Sequence, residues 1–372
     1  MRFPGYANSW IKTTLGDECD SLEYGIGASA IPFDGSNRYL RITDINDPSG
    51  EYVSPSFLDE EALLQQNDIL LARTGATVGQ SFLYESDDVK TYYAGFLIRA
   101  RVVKGNQRFL YYQLKTDSFR RWVKVMSARS GQPGINAEEY ASYPLFVSND
   151  SEMGKISAFL RIIDKRIEVQ NKIIEDLISI EKLIIDHVFG QQATDSLSAF
   201  ISEINERNKA EEPLDVYSVS NRLGFIPQSE QFEDKEIASN NKQHYKIATN
   251  STFAYNPARI NVGSIGFYSG RKPVIVSPMY VCFKVHGIDP LVLQQFFSSK
   301  AFYKEMSSKL EGSVRQCLTF QGMRSIRFHI PQGDDSAWLT IAKAIHKKRT
   351  MEEAILKSFI RQKAYLLSNL FI

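Results

Sequence analysis

The residues of this 372-residue chain that could do chemistry fall into a few short groups. Gly25-Ile26-Gly27-Ala28-Ser29-Ala30 fits a loose G-x-G-x-x-A, the pattern that sets a dinucleotide pyrophosphate on a helix N-terminus. Pro32 follows at once, so no helix can begin there to hold the phosphate. Asp215 with Glu233-Asp234-Lys235 imitates the D…E-x-K set with which nucleases hold magnesium. These residues lie in an acidic stretch, 203–236, which a solvated face explains more simply. Cys19, Cys282 and Cys317 are far apart with no Cys-x-x-Cys pair, and the five histidines are scattered, so no metal-ligand spacing is present.

Arginine and lysine are distributed more tellingly. Residues 115–135 carry Lys115, Arg120, Arg121, Lys124 and Arg129 against Asp117 alone. Residues 299–329 carry Lys300, Lys304, Lys309, Arg315, Arg324 and Arg327 against Glu305 and Glu311. Net charge is only +1, so the balance is local and not global. Asn256-Pro257-Ala258-Arg259 begins like the Asn-Pro-Pro-Tyr with which amino-methyltransferases hold a flipped base, but lacks the second proline and the aromatic. No Gly-rich methyl-donor loop, Walker loop or Ser/His/Asp set accompanies it.

The two basic clusters correspond because the chain is a duplication. Asn67 to Ala72 matches Asn250 to Tyr255 at a step of 183 (250 − 67), Ser118-Phe119 matches Ala301-Phe302, and Ile135-Asn136 matches Leu318-Thr319. A period this long is a repeated domain; solenoid units run roughly 20–50 residues. Within the first copy, Tyr39 to Thr43, Asp68 to Arg73 and Ala94 to Ala100 read as short strands punctuated by Gly75, Gly79 and Gly105. Residues 109–125 have helical spacing. The second copy follows, with strands at Thr252 to Tyr255 and Pro278 to Val285 and a helix over 290–309. The expected fold is α+β, two tandem mixed α/β domains, each followed by a long helix. Boundaries are expected at 1–150, 151–191, 192–333 and 334–372. Composition, 43% hydrophobic and 12% aromatic, suffices for two cores. The lack of an apolar run near the roughly 20 residues that span a bilayer predicts no membrane and a cytoplasmic protein.

Each copy ends on an amphipathic helix. In the first, Ser148-Asn149-Asp150-Ser151 offers cap side chains, and Ile156, Leu160, Ile163, Ile167, Ile174, Leu177, Ile184 and Val188 recur at steps of mostly three and four. Gln170 and Glu181 fill the gaps, giving a heptad seam about 50 Å long at 1.5 Å per residue. The second seam, Ile341, Ile345, Ile355, Phe359, Leu366 and Leu370, is poorer and is interrupted by Lys348 and Glu352. Each stripe must be buried, and pairing of the two helices as a coiled coil, parallel or antiparallel, is the expected outcome; packing of each helix onto its own domain is the alternative, which a helix about 50 Å long would outrun.

Taken together the chain resembles the specificity subunit of type I restriction-modification systems, over essentially its whole length. Trp10 to Asp17 resembles the opening of a target recognition domain, and Asn67-Asp68-Ile69-Leu70 through Gly75, with Val78-Gly79, resembles the family's G-D-I-L pattern. Tyr245-Lys246-Ile247, Phe253 to Gly266 and Val276 to Tyr280 resemble another common version of that domain. Lys182 to Phe189 and Gln362 to Phe371 look like the ends of the family's spacer helices. The chain departs from the family where the Pro-rich approach and Glu-Gln pair before each spacer helix are missing, at Tyr143-Pro144-Leu145 and Ile330-Pro331-Gln332.

The resemblance implies a DNA reader without catalysis or cofactor of its own, each domain taking one half of an asymmetric bipartite target on double-stranded DNA. S-adenosylmethionine would belong to methylation (M) subunits, ATP and Mg to a restriction (R) subunit. Arg and Lys neutralise phosphates, while Arg on guanine and Asn or Gln on adenine select bases. On the glycine-containing loops, Arg73, Thr74, Arg129, Ser130 and Gln132 are the first copy's candidates; Arg259, Arg271, Lys272, Ser313, Arg315 and Gln316 are the second's. Arg120, Arg121, Lys124, Lys304 and Lys309 are expected on phosphates. Two rivals stand: a non-catalytic coiled-coil scaffold, which predicts no basic bias at matching positions, and a self-contained DNA enzyme, which needs a catalytic set.

Overall fold

The computed structural model describes residues 5–6, 9–45, 50–85, 89–102, 105–128, 134–221, 224–228, 242–312 and 316–371. The chain divides into two compact units, residues 1–171 with 354–372, and residues 172–353.

In the first unit a four-stranded antiparallel sheet has the order Cys19–Tyr24, Leu97–Val102, Ile69–Ala72, Ser81–Leu83. Ile69–Ala72 is buried at all four positions because both faces of the sheet are covered. Alternation sends Ile69 and Leu71 to a core with Phe109, Phe119 and Tyr140, and Leu70 and Ala72 to a second core with Tyr39, Tyr92 and Tyr93. That second core lies under a parallel pair, Asn37–Leu40 with Lys90–Tyr93. The strand expected to reach Thr43 stops at Leu40, where Arg41 turns back onto Asp44.

The second unit repeats the order: Ile201–Ile204, Val281–Val285, Thr252–Tyr255, Ile265–Tyr268, again antiparallel. Phe253 and Tyr255 face one core with Phe283, Phe296 and Phe302, and Ala254 faces another with Val219, Val276 and Cys282. The likeness extends to backbone strain. Asn67 (φ 72°) and Ser251 (φ 62°), just before the central strands, are both left-handed.

Each helix expected after the sheet is two helices. Gln107–Gln113 and Asp117–Ser127 are separated at Thr116, whose hydroxyl donates to Gln113 O (2.7 Å) and accepts from Phe119 N (3.3 Å). Ser299 does the same between Pro290–Phe296 and Lys300–Ser307, donating to Phe296 O (2.7 Å) and accepting from Phe302 N (3.1 Å). A hydroxyl that satisfies the end of one helix and the start of the next favours a break there.

The long helices are Asp150–Phe189 and Asp334–Leu370. Asn149 Oδ1 accepts from Glu152 N (2.9 Å) at the start of the first. In the first unit, Met153, Ile156, Leu160 and Ile163 join the sheet's own core together with Leu366, Leu367 and Leu370. Asp164 pairs with Lys363, and Arg166 lies over Phe359, so the two segments run antiparallel there. In the second unit Glu181 meets His346 (3.0 Å) and His187 meets Trp338, again antiparallel. Ile174 and Val188 are buried; Ile167, Leu177, Ile184, Ile345 and Phe359 are half-buried.

Ile341 (46% exposed) and Ile355 (41% exposed) do not fit the expected seam. In the second unit the buried positions are Leu339 and Ala342, which line up with the core of Phe189, Leu197 and Phe328. A small alanine on the inner face lets the helix approach closely, and the larger Ile341 beside it turns outward. No helix among the described residues is long and apolar enough to cross a membrane.

Candidate nucleic-acid interface

The basic helix of the first unit, Asp117–Ser127, buries Phe119, Val123 and Ser127. Arg120, Arg121 and Lys124, at helical steps of one, three and four, are exposed on the opposite side. Arg120 meets Asp117 (2.9 Å) and Arg121 meets Ser118 Oγ (3.3 Å), both on the surface, where such contacts are weak and easily exchanged for a phosphate. The second unit's Lys300–Ser307 buries Phe302 and Met306 and exposes Lys304; Lys300 is tied to Asp186 and Lys309 is half-buried.

In both units a glycine loop follows the central strand and lies on this helix. At Gly79 (φ +81°) an added Cβ would stand 2.5 Å from Val123 Cγ1, and at Gly263 (φ +89°) 3.3 Å from the Tyr303 hydroxyl. Only glycine combines that backbone with that approach. Tyr140 closes the first loop: its hydroxyl donates to Ala72 O (2.7 Å) and accepts from Gly79 N (3.1 Å). Burial pushes the Tyr140 phenol well above its ordinary value, so it remains a donor at any ordinary pH. The loop's other neighbour is the chain before the capped helix Ala137–Ala141, where Ile135 N donates to Arg73 O (2.8 Å). Leu318 N donates to Pro257 O (3.0 Å) at the matching place in the second unit.

The candidate base-contacting residues are not equivalent. Arg73 is half-buried over the Tyr24 ring (4.8 Å), with Nη1 donating to Gly95 O (3.3 Å). Thr74 bridges to Gly134. Arg259 is exposed and lines a cleft of about 600 Å³ with Tyr217, Asn256, Ser264, Ser277, Met279 and Tyr280. Arg271 and Lys272 are exposed on the turn between Ile265–Tyr268 and Val274–Val276. Gln316 is exposed beside the bridge of Glu311 to Cys317. Arg129, Ser130, Gln132, Ser313 and Arg315 lie outside the described residues.

Two apolar residues at this end were not singled out from sequence. Phe96 (59% exposed) sits beside Arg73, accepting its backbone N–H, and Met279 (60% exposed) sits beside Asn256. They are 183 residues apart (279 − 96), so the repeat could have marked them. Each lies next to a strand, in a context that reads as core.

Among the described residues no group of three or more His, Cys, Asp or Glu could hold a metal. Burial raises the Cys19 thiol to about 12 and Cys282 to about 11, leaving both protonated and unreactive near neutrality. Gly25 of the loose G-x-G-x-x-A is explained by packing: the Tyr93 carbonyl stands 2.2 Å from where its Cβ would be. Glu233, Asp234 and Lys235 lie outside the described residues.

Lys115, just before the basic helix, has a measurable signature. Its ammonium donates to Ser81 O (2.5 Å) over the Tyr111 ring (4.9 Å), and burial pushes it down to about 8. Between there and the ordinary lysine value the unfolded chain retains a proton that the folded chain has lost, so stability rises with pH. The rise from pH 8 to 10 should approach about 2 kcal/mol, at roughly 1.4 kcal/mol per unit. Urea unfolding of wild type and Lys115→Met at pH 7.5, 8.5 and 9.5 checks this. The variant should lack the rise, and an equal rise in both would assign it elsewhere.

Residues 15–178 match the family of the type I restriction modification DNA specificity domain. A type I restriction-modification S subunit from M. genitalium, solved by crystallography, is similar with TM-score 0.62 at 16% identity, covering 100% of this chain and 98% of that one. A chain from a structural study of complex assembly and conformational transition of the type I R-M system is similar with TM-score 0.53 at 12% identity, covering 99% and 97%. No curated protein matches. At those identities the structures show the fold: two tandem mixed α/β units with long helices. The matched residues take in the first copy's sheet, its basic helix and most of its long helix. Over those residues, a little under half of its length, the chain is similar to the DNA specificity domain of type I restriction-modification systems.

Proposed function

We propose that this chain reads an asymmetric bipartite sequence on double-stranded DNA, one half with each recognition domain, and positions partner subunits that do the chemistry. In this reading the recognition domains are 1–150 and 192–333, and 151–191 and 334–372 are the spacer helices. The observation that carries this is the recurrence, at a step near 183, of one strand order, one capped basic helix and one glycine loop with different side chains at its edge. Shared parts grip the common backbone of DNA; differing parts select different bases. Arg73-Thr74 beside Phe96 answers Asn256 to Arg259 beside Met279, so the two half-sites differ.

Methylation subunits carrying S-adenosylmethionine and a restriction subunit using ATP and Mg supply catalysis, and the assembly works in the cytoplasm. Exposed apolar residues of the first long helix, Ile162, Val169, Ile173 and Ile180, recur at heptad steps and suit a helical partner. The test is co-purification with a methylation subunit, followed by mapping of methylated positions on genomic DNA. Methylation at one asymmetric bipartite sequence, lost without this chain, establishes the reading role. Methylation that persists unchanged without it returns the chain to a scaffold.

Arg259, exposed in the second unit's cleft, is the residue on which base choice is expected to turn. Arg259→Ala should relax one base pair of one half-site, costing about 1–3 kcal/mol of discrimination there. The mapped methylation sites would then degenerate at a single position. An unchanged site would remove Arg259 from base contact.

A further inference from the structure

The second unit has a cleft away from the glycine loop, where the short helix Pro290–Phe296 faces both long helices. It measures about 480 Å³ and is within the range of small-molecule sites. Ile178, Ile185 and Leu291 give it apolar walls; Lys182, Lys343 and Arg349 stand against one carboxylate, Glu181. That carboxylate is already engaged by His346 (3.0 Å) and Arg349 (3.5 Å), and Lys343 is held by Asp289 (2.7 Å). Lys182 is exposed and makes no ion pair with any described residue.

Gln295 lines this cleft, is 9% exposed, and has an Oε1 with no hydrogen-bond partner. Buried polar atoms are nearly always satisfied, so an open acceptor in the wall of a cleft is suited to a donor from a bound molecule. The first unit shows what the place holds when it is filled. At the step of 183, Gln294, Gln295 and Ser298 correspond to Tyr111, Tyr112 and Lys115. Tyr112 is fully buried there, its hydroxyl donating to Asp164 Oδ2 (2.7 Å). The second unit has lost the aromatic ring and its hydroxyl from the matched helix and has an orphan acceptor beside an opening.

We infer that this cleft binds a small aromatic anion bearing an O–H or N–H donor: the ring lies between Ile178, Ile185 and Leu291, the donor meets the Gln295 carboxamide, and the anionic group meets Lys182. This chemistry is shared by nucleoside monophosphates and by hydroxyaryl carboxylates. The inference is independent of DNA reading, since none of these residues belongs to the glycine loops or basic helices.

The full chain is titrated calorimetrically with adenosine monophosphate and, separately, with 4-hydroxyphenylacetate. Saturable one-to-one binding of either is expected, and the arm that responds names the source of the chemistry. Gln295→Tyr, which puts the first unit's ring at this step and removes the open acceptor, should abolish binding. Lys182→Ala, an exposed position that leaves the fold intact, should weaken binding about tenfold, as loss of one charge-assisted contact does. Binding of neither probe, or equal affinity in Lys182→Ala, overturns the inference.

Discussion

Phe253→Ala is expected to unfold the second unit under conditions where the first survives, at a cost of about 3–5 kcal/mol. Phe253 is 1% exposed on the central strand, stacked on Phe283 (centroids 5.2 Å, planes 9° apart) and edge-on to Phe297 (5.5 Å). Strands cross it on both sides, pairing it with Phe267 and Phe283, so the backbone cannot collapse into the void. The neighbouring Ala254 faces the other core and has no side chain that could move over. Phe253→Leu, which keeps most of the volume, should cost under half as much. Two-stage urea unfolding, with the lower transition shifted in Phe253→Ala and the upper unmoved, is the result to look for. A single transition shifted as a whole would mean that the two units unfold together. In the methylation assay the same variant should behave as a loss of specificity, because one half-site has lost its reader.

The duplication was legible because it is written in residue types that physics forces to recur. A left-handed residue before the central strand, a hydroxyl between two short helices and a glycine pressed on the basic helix are each needed once per copy. They survive where surface identity does not, and so Thr116 and Ser299 fall at a step of 183 (299 − 116) and Asn67 and Ser251 within one residue of it (251 − 67 = 184). The central strands were legible for a related reason. Ile69-Leu70-Leu71-Ala72 is too apolar for a strand with one wet face and therefore must have a core on each side.

The second long helix was less legible. Its stripe is weak: hydrophobicity points Ile341 and Ile355 inward, whereas the buried positions in the second unit are Leu339 and Ala342. A small residue at a helix contact scores low on any apolar scale, although its size is what permits the contact. Arg73 shows the corresponding limit for charge. Its position beside a glycine suggests a DNA contact, yet its guanidinium lies over Tyr24 and donates to Gly95 O. Sequence locates a cation on an element; only the surrounding chain tells which of its donors are engaged. Arg120, Arg121 and Lys124 have no buried partner among the described residues, because the helix that carries them buries Phe119 and Val123 on its other side.

That difference leads to the second large effect, on the salt dependence of DNA binding. If Arg120, Arg121 and Lys124 each neutralise one phosphate, replacing all three by alanine lowers the slope of log K against log salt by about 2.7, at roughly 0.9 per contact on duplex DNA. Over a fourfold change of salt this is a factor of about 40 in relative affinity, since each phosphate contact releases its counterion. The loss should be the same for specific and unrelated DNA, as these side chains grip a backbone common to both. Arg259→Ala should do the reverse, leaving the slope nearly unchanged and narrowing the gap between specific and unrelated sequences. Binding of the complex with its methylation subunit is measured across 50–200 mM salt, the range over which such slopes are read. The triple variant leaves Phe119, Val123 and the Thr116 cap in place, so the helix itself should persist. An unchanged slope with intact folding would place the DNA on another face of the unit, and the glycine loop pressed against Val123 would then have to be reconsidered with it.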